Sequence, residues 1–381
     1  MSHDNLKQKI IAYSKTIGID KIGFTTADVF STLKNRLKEQ ETLGYQSGFE
    51  KGSIEERTEP RRLMPEAQSI LSIAIAYPSR MQRPPKGEKG NRRGIFCRAS
   101  WGRDYHVGLR ERLEKLAAFI QSERPDAITK IMVDTGELSD RAVAERAGIG
   151  FSGKNTAIIT PEYGSFVYLG ELLTNIPFEP DHPLEDGCGD CTKCIDACPT
   201  GALVEGGRLN AQKCLAFLTQ TKDFLPDTYR SKLGNALYGY DTCQVVCPYN
   251  KQVDFHLHPE FEPEPEVAKP KLVPLLTMSN REFKETFGHV SGSWRGKKPL
   301  QRNALLALGH YKETTAVPDM IKVMNEDVRP VIRGTAAWSL GKIGTKEAFA
   351  AIRAAMETEA DDAVLFEMEK GLAFETKREE L

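Results

Sequence analysis

Seven of the chain's eight cysteines fall into two sets, and their spacing restricts the fold more than any other feature. The first set is Cys188-Gly-Asp-Cys191-Thr-Lys-Cys194-Ile-Asp-Ala-Cys198-Pro199, a C-x2-C-x2-C-x3-C-P run. In bacterial ferredoxins three thiolates of such a run wrap one face of a [4Fe–4S] cubane. The fourth, ahead of the proline, turns away to a different cluster. The partner set is Cys214 with Cys243-Gln-Val-Val-Cys247-Pro248. The crossed pattern assigns Cys188, Cys191, Cys194 and Cys247 to one cluster and Cys198, Cys214 and Cys243 to the other. Paired C-x2-C spacings also mark structural zinc, but two x3-C-P endings favour iron–sulfur chemistry. A further cysteine is expected three residues before Cys243, where Tyr240 stands. The second cluster is then a [3Fe–4S] centre, a [4Fe–4S] centre with a non-thiolate ligand, or one that recruits Cys97; the second form is the expectation.

With 381 residues, 40% hydrophobic and 28% charged, the chain reads as an ordinary folded protein of two or three domains. Cysteines spent on clusters argue against a disulfide framework and for a reducing compartment. The opening MSHDNLKQKI lacks the charged and apolar regions of a signal peptide. The most apolar run, Ile70–Tyr77, is eight residues, far short of a membrane span. These readings predict a cytoplasmic protein without membrane contact.

Apolar periodicity predicts helices over residues 5–17 and 107–120, the latter aligning Leu109, Leu113, Leu116 and Ile120. Ser69–Tyr77 reads as a buried strand, Ile128–Val133 as a short strand ending at Asp134, and Ser139–Ala147 as a helix. Residues 80–94, rich in cations and proline, read as a solvated loop. Gly148, Gly150 and Gly153 match G-x-G-x-x-G formally but follow no strand of a clean βαβ unit, so a dinucleotide site is disfavoured. Close backbone approach to a large flat ligand is the alternative use. Strands are expected over 156–160 and 166–173. Past a proline- and glutamate-rich linker at 259–274, Arg302-Asn-Ala-Leu-Leu-Ala-Leu-Gly309 recurs as Arg333-Gly-Thr-Ala-Ala-Trp-Ser-Leu-Gly341, thirty-one residues on. Helices ending in glycine at such a period read as HEAT-like repeats. Residues 271–333 carry eleven Lys/Arg against six Asp/Glu, and 346–381 five against ten. A basic near half suggests an anionic partner.

The block Val133-Asp134-Thr-Gly-Glu-Leu-Ser-Asp-Arg-Ala-Val-Ala-Glu-Arg-Ala-Gly148-Ile-Gly-Phe-Ser-Gly153-Lys-Asn155-Thr, followed by the two cysteine sets, resembles the cobalamin-dependent epoxyqueuosine reductases, relatives of the reductive dehalogenases. The resemblance covers nearly the whole chain. It implies an α+β protein: a flavin-reductase-like cobalamin-binding α/β domain at 1–179, a dicluster ferredoxin-like module at 180–255, a linker and basic segment at 256–294, and a HEAT-like repeat domain at 295–381. It implies reduction of epoxyqueuosine to queuosine at the wobble position of tRNA, with cobalamin and two [4Fe–4S] clusters as cofactors. Asp134 is the implied proton donor. Its place at the end of a buried strand predicts a carboxyl kept neutral by desolvation, although an Asp there also suits a helix cap. Cofactor contacts are implied at Arg57, Cys97, Asp134, Ile158, Leu169, Tyr240 and Asp241, against plainer readings of Cys97 as a buried hydrophobe and Arg57 as a loop cation. The expected partners are the tRNA anticodon stem-loop and an external flavodoxin-, ferredoxin- or reductase-like electron donor, with the protein itself a monomer. Lys222, Arg230, Lys232, Arg281, Arg295, Lys297, Lys298 and Arg302 are the candidate phosphate contacts.

Two rivals stand beside this reading. A respiratory dehalogenase would carry an N-terminal twin-arginine signal, whereas Arg61-Arg62 and Arg92-Arg93 lie deep in the chain. A non-enzymatic electron-transfer scaffold would have no reason to bind a corrinoid. Anaerobically reconstituted protein is expected to hold about eight iron and eight sulfide per chain, or about seven iron with a [3Fe–4S] second centre. Elemental analysis finding zinc and no iron contradicts the cluster reading.

Overall fold

The computed structural model describes residues 3–134 and 136–379. They form two compact units that interleave along the chain. Met1–Arg80, Arg103–Cys214 and Asp241–Glu262 make the first; Met81–Gly102, Leu215–Tyr240 and Pro263–Leu381 make the second. This division differs from the consecutive domains expected at 1–179, 180–255 and 256–294, because short pairings tie distant segments together. The strand Ile95–Phe96 runs parallel to Ala236–Tyr238, and Gly94 donates its backbone N–H to the Pro270 carbonyl. The stretch 80–94 is correspondingly no free loop. Arg93 forks onto Glu266 and the Lys269 carbonyl, and Arg92 pairs with Glu313 while lying over the Tyr311 ring.

The first unit is built on an antiparallel sheet ordered Lys21–Thr26, Ser69–Ala76, Val167–Thr174, Thr129–Met132. Ser69–Ala76 is buried along its whole length, as its continuous apolar run predicts. The helix Tyr105–Glu123 lays Leu109, Leu113, Leu116 and Ile120 on the sheet. Gly170 gives it room: a Cβ there would come within 3.2 Å of Leu113. Asp104 caps this helix by accepting from the His106 N–H, which places Tyr105 and His106 in its first turn. The shorter helix Asp140–Arg146 crosses the sheet so closely that a Cβ on Gly23 would overlap the Ala147 carbonyl at 2.0 Å.

The second unit is helical. Lys297–Tyr311, Val317–Glu326, Pro330–Ile343, Lys346–Met356 and Asp362–Glu379 stack as successive repeats. Gly309 and Gly341 lie inside these helices instead of ending them. They are contact points: a Cβ on Gly309 would meet Ser339, and one on Gly341 would strike the Gly371 carbonyl at 2.1 Å. The supposed linker packs here as well, since Leu272, Leu275, Leu276 and Phe287 are buried in the same core. No helix among the described residues is long and apolar enough to cross a membrane.

Two candidate phosphate contacts are corrected by this packing. Arg302 is 1% exposed, and its guanidinium donates to the carbonyls of Leu218, Thr221 and Asp223. Those carbonyls lie where a short helix runs out and need donors. Arg230 makes a two-pronged pair with Glu367, both side chains under 5% exposed. A buried pair cannot lose one member cheaply, because the survivor stays charged and desolvated, here with the exposed Asp227 at 3.1 Å beside it. Glu367→Ala is therefore expected to lower unfolding free energy by roughly 3–5 kcal/mol, measurable by denaturant titration, while Arg281→Ala on the exposed face changes it by less than about 0.5 kcal/mol.

Candidate functional site

The thiols gather as two groups in the first unit. Cys188, Cys191, Cys194 and Cys247 line one largely apolar cavity of about 150 Å³ together with Ile159 and Pro248. Burial, and next to it Cys188 and Cys247, raise the Cys194 thiol. The second group centres on Cys243, pushed up to about 12 by burial and by the neighbouring Cys214, Asp241, Cys194 and Cys198. Among the described residues no three His, Cys, Asp or Glu side chains close around one ion. The four cavity-lining thiols are the set that the C-x2-C-x2-C run and the second C-P ending assign to one cluster. Backbone amides already point at sulfur, from Lys154 to Cys188 at 3.4 Å and from Ala202 to Cys198 at 3.3 Å.

The short loop after Gly153 ties these groups to a third site. Lys154 reaches the first thiol set, the Asn155 side chain donates to the Cys243 carbonyl at 3.3 Å, and the Thr156 carbonyl accepts from Arg141 at 2.5 Å. Thr156 is held at φ 66°, a left-handed conformation that strains a β-branched residue. The glycines serve the same loop. A Cβ on Gly150 would strike the Ile159 carbonyl at 2.5 Å, and one on Gly153 would meet Ile159 and Asn155. They permit close hairpin packing.

Arg141 belongs to a recess around Asp134. Tyr105 donates its hydroxyl to Asp134 Oδ2 at 2.5 Å, and His106 Nε2 stands 3.3 Å from the same oxygen, an ion-pair contact short of good hydrogen-bond angle. The other ring nitrogen of His106 lies 2.7 Å from Asp104. Asp134 sits at φ 45°, with its backbone N–H donated to Asp140 Oδ2 at 2.8 Å. Its side chain is 59% exposed although walled by protein, as expected of a group lining an open recess. The expectation of a neutral Asp134 is overturned. The His106 contact, then the Tyr105 hydroxyl, outweigh desolvation and hold the carboxyl below its usual range. His106 is raised to about 9, Asp104 and Asp134 outweighing its burial. The proton of this unit rests on the imidazole.

The other expected cofactor contacts belong to both units. Arg57 is half-buried, its basicity lowered by burial, and among the described residues its guanidinium forms no hydrogen bond or ion pair. Such a fork fits a ligand rich in acceptors, as the amides and phosphate of cobalamin are. The Ile158 side chain is 3% exposed and, with Leu169, packs on Ala74, Ala144, Ala147 and Ile149, so it is spent on the core. Cys97 and Tyr240 belong to the second unit, not to the N-terminal domain foreseen for Cys97. Cys97 pairs with the Tyr238 carbonyl and lies under Gly239, where a Cβ would meet its sulfur at 2.3 Å. Tyr240 packs beside Leu215 and Leu218. Of the basic residues, Lys222, Lys232 and Arg281 are exposed. Lys298 is half-exposed, Arg295 donates to the Gln220 carbonyl, and Lys297 caps the Met278 carbonyl. Sequence reasoning missed His106, Asp140, Arg141 and Glu171. Glu171 left a signal: it is a lone carboxylate inside the apolar strand VYLGELLT.

Paired cluster-sized thiol groups, a recess built for proton handling and a helical-repeat unit define an iron–sulfur oxidoreductase. Three family models match: "Epoxyqueuosine reductase QueG, DUF1730" over residues 57–135, "4Fe-4S double cluster binding domain" over 187–250, and "HEAT repeats" over 296–373. An epoxyqueuosine reductase of Bacillus cereus is 63% identical over 380 residues, covering 100% of both chains. A crystal structure of epoxyqueuosine reductase with a tRNA-Tyr epoxyqueuosine-modified tRNA stem loop is 64% identical, covers 98% of this chain and 99% of its own, and superposes with a TM-score of 0.96. The Bacillus subtilis enzyme with "the Asp134 catalytic loop swung out of the active site" is 63% identical over 98% of this chain and 100% of its own, TM-score 0.96. The chain belongs to the epoxyqueuosine reductase family.

The raised His106 carries a pH signature. A histidine whose folded pKa lies above its unfolded value stabilises the fold fully below about pH 6.5. That contribution is lost as pH rises through about 9. His106→Asn is therefore expected to be less stable than the parent by roughly 1–3 kcal/mol near pH 6. The gap should close towards pH 10, as chemical denaturation at a series of pH values would show. A pH-independent gap would place the proton elsewhere.

Proposed function

We propose that this chain reduces epoxyqueuosine to queuosine at the wobble position of tRNA, with cobalamin as the cofactor beside its two clusters. Removing the epoxide oxygen as water takes two electrons and two protons. One observation carries the reading: Lys154, Asn155 and Thr156 in succession contact the first thiol set, the second, and Arg141 at the Asp134 recess. Electron-carrying groups and a proton-handling group are thereby fixed to one loop of one unit.

Cobalamin, when bound, supplies a low-potential metal centre able to pass electrons to an epoxide carbon. Arg57, whose guanidinium has no hydrogen-bond acceptor among the described residues, and Arg141 are the residues proposed to hold its polar periphery. The first cluster is assigned to Cys188, Cys191, Cys194 and Cys247, the second to Cys198, Cys214 and Cys243 with a non-thiolate fourth ligand. Asp241, which raises Cys243 by its charge, stands nearby. Asp134 delivers a proton to the departing oxygen. Because it rests as carboxylate, that proton comes from His106, 3.3 Å away, with Tyr105 keeping Oδ2 aligned. Asp104, 2.7 Å from the other ring nitrogen, holds the imidazole in its charged form.

The tRNA stem-loop docks through phosphates, which position the substrate without reading sequence. Lys222, Lys232, Arg281, Arg295, Lys297 and Lys298 remain the proposed contacts in the second unit, Arg230 and Arg302 having been assigned to packing. The target nucleotide must leave its stack to reach a recess of this kind. An external reductase, flavodoxin or ferredoxin supplies electrons, and the chain acts as a cytoplasmic monomer.

Asp134→Asn keeps the size of the side chain and removes its capacity to take and give a proton. Single-turnover assays on tRNA bearing epoxyqueuosine, run anaerobically with cobalamin, are expected to slow by about 10²–10⁴-fold. Stem-loop affinity should be unchanged. Wild-type turnover in that variant would remove Asp134 from the chemistry.

A further inference from the structure

Glu171 has no part in the scheme above, yet it lies at the centre of the first unit. Its strand position pairs with Ser72 on one neighbour and Met132 on the other. It is 0% exposed, and among the described residues neither carboxylate oxygen meets an N–H or O–H donor; the buried Ser72 hydroxyl is likewise without a partner there. An ionised carboxylate in that position would be desolvated with nothing in return. The carboxyl that acts on it most closely is Asp140, at the start of the helix Asp140–Arg146. Two carboxyl groups can bond only by sharing a proton. One oxygen of Asp140 is already committed: Oδ2 accepts the backbone N–H of Asp134.

We propose that Glu171 is a positioning residue for the catalytic loop: its carboxylic O–H donates to Asp140, which in turn holds the backbone of Asp134 in place. The arrangement explains why Asp134 keeps a left-handed φ of 45° that its backbone alone would not prefer. Burial and the neighbouring carboxylates raise Glu171 well above the ordinary range, and burial together with Asp134 raises Asp140 to about 7. The charged groups acting on the pair are Asp134 from the loop and Arg141 from the helix. Deprotonating Glu171 would set it against Asp140 and Asp134 as a third negative charge, and the loop would lose its hold. The inference rests on the role proposed for Asp134, but its first two readouts do not involve the reaction.

The test compares wild type with Glu171→Gln and Glu171→Leu, each as the full chain. Gln keeps a donor to Asp140 and cannot ionise; Leu removes the donor. Infrared spectra taken along an alkaline titration should show a protonated-carboxyl band in wild type that is missing from E171Q. Hydrogen exchange at the Asp134 amide, corrected for its intrinsic pH dependence, should accelerate at alkaline pH in wild type and stay slow in E171Q. In E171L it should be fast at every pH. Turnover in E171L should fall by roughly tenfold with stem-loop affinity retained, and E171Q should recover most of that loss. If E171L does not fold, E171Q against wild type still decides. A carboxyl band that persists in E171Q, or an Asp134 amide that loosens with pH alike in both proteins, overturns the proposal. Loop behaviour as expected, with turnover insensitive to it, would instead count against Asp134 as the proton donor.

Discussion

Seven thiols from three separated stretches of chain must meet in two groups, and that requirement organises the first unit. Cys198 and Cys247 each end an x3-C-P run, and each turns away from its nearest neighbours in sequence. Crossing of this kind lets neither group form until the segments around 190, 214 and 245 are folded together. The loop at 154–156 then has both groups as neighbours, which explains its close-packed glycines and the tolerated strain at Thr156. Local conformational cost is accepted where several long-range contacts hold it in place.

Electrostatics at the recess follow one pattern. Every charge there is answered by a partner or withheld. Asp134 is kept ionised by His106 and Tyr105, while Glu171, deeper and without donors, is kept neutral. Two carboxyls on neighbouring elements therefore sit at opposite ends of the protonation scale, because one has an imidazolium beside it and the other has burial and the carboxylates of Asp140 and Asp134. Such divergence is the usual mark of a site that moves protons. In the second unit the same physics serves packing: Arg302 and Arg230 are fully engaged by carbonyls and by Glu367.

Much of this was legible in the amino-acid order. The thiol spacing, the buried strand at Ser69–Ala76, the core stripe of Tyr105–Glu123 and the repeat period are all local patterns, and local patterns survive folding. What stayed hidden depended on partners far along the chain. Gly309 and Gly341 resemble helix ends until the helix thirty residues on is seen against them. Arg302 reads as a surface cation until three carbonyls from 218–223 surround it. Asp134 follows apolar residues, so desolvation looked decisive; His106, twenty-eight positions earlier, reverses the outcome. The segment 81–102 joins the repeats through pairings with residues 236–238 and 270, which no window of sequence reveals.

The crossed thiol pattern is the claim on which the rest depends, and ligand-by-ligand replacement tests it most directly. Mössbauer spectra of anaerobically reconstituted Cys247→Ala and Cys198→Ala proteins would be compared with wild type. Crossing predicts that Cys247→Ala damages the cluster of Cys188, Cys191 and Cys194 and leaves the other intact. Cys198→Ala should do the reverse, sparing the cluster built on the very run to which it belongs. If Cys198→Ala instead removes the Cys188 cluster, each run ligates its own centre, and the account of how this unit is held together is wrong.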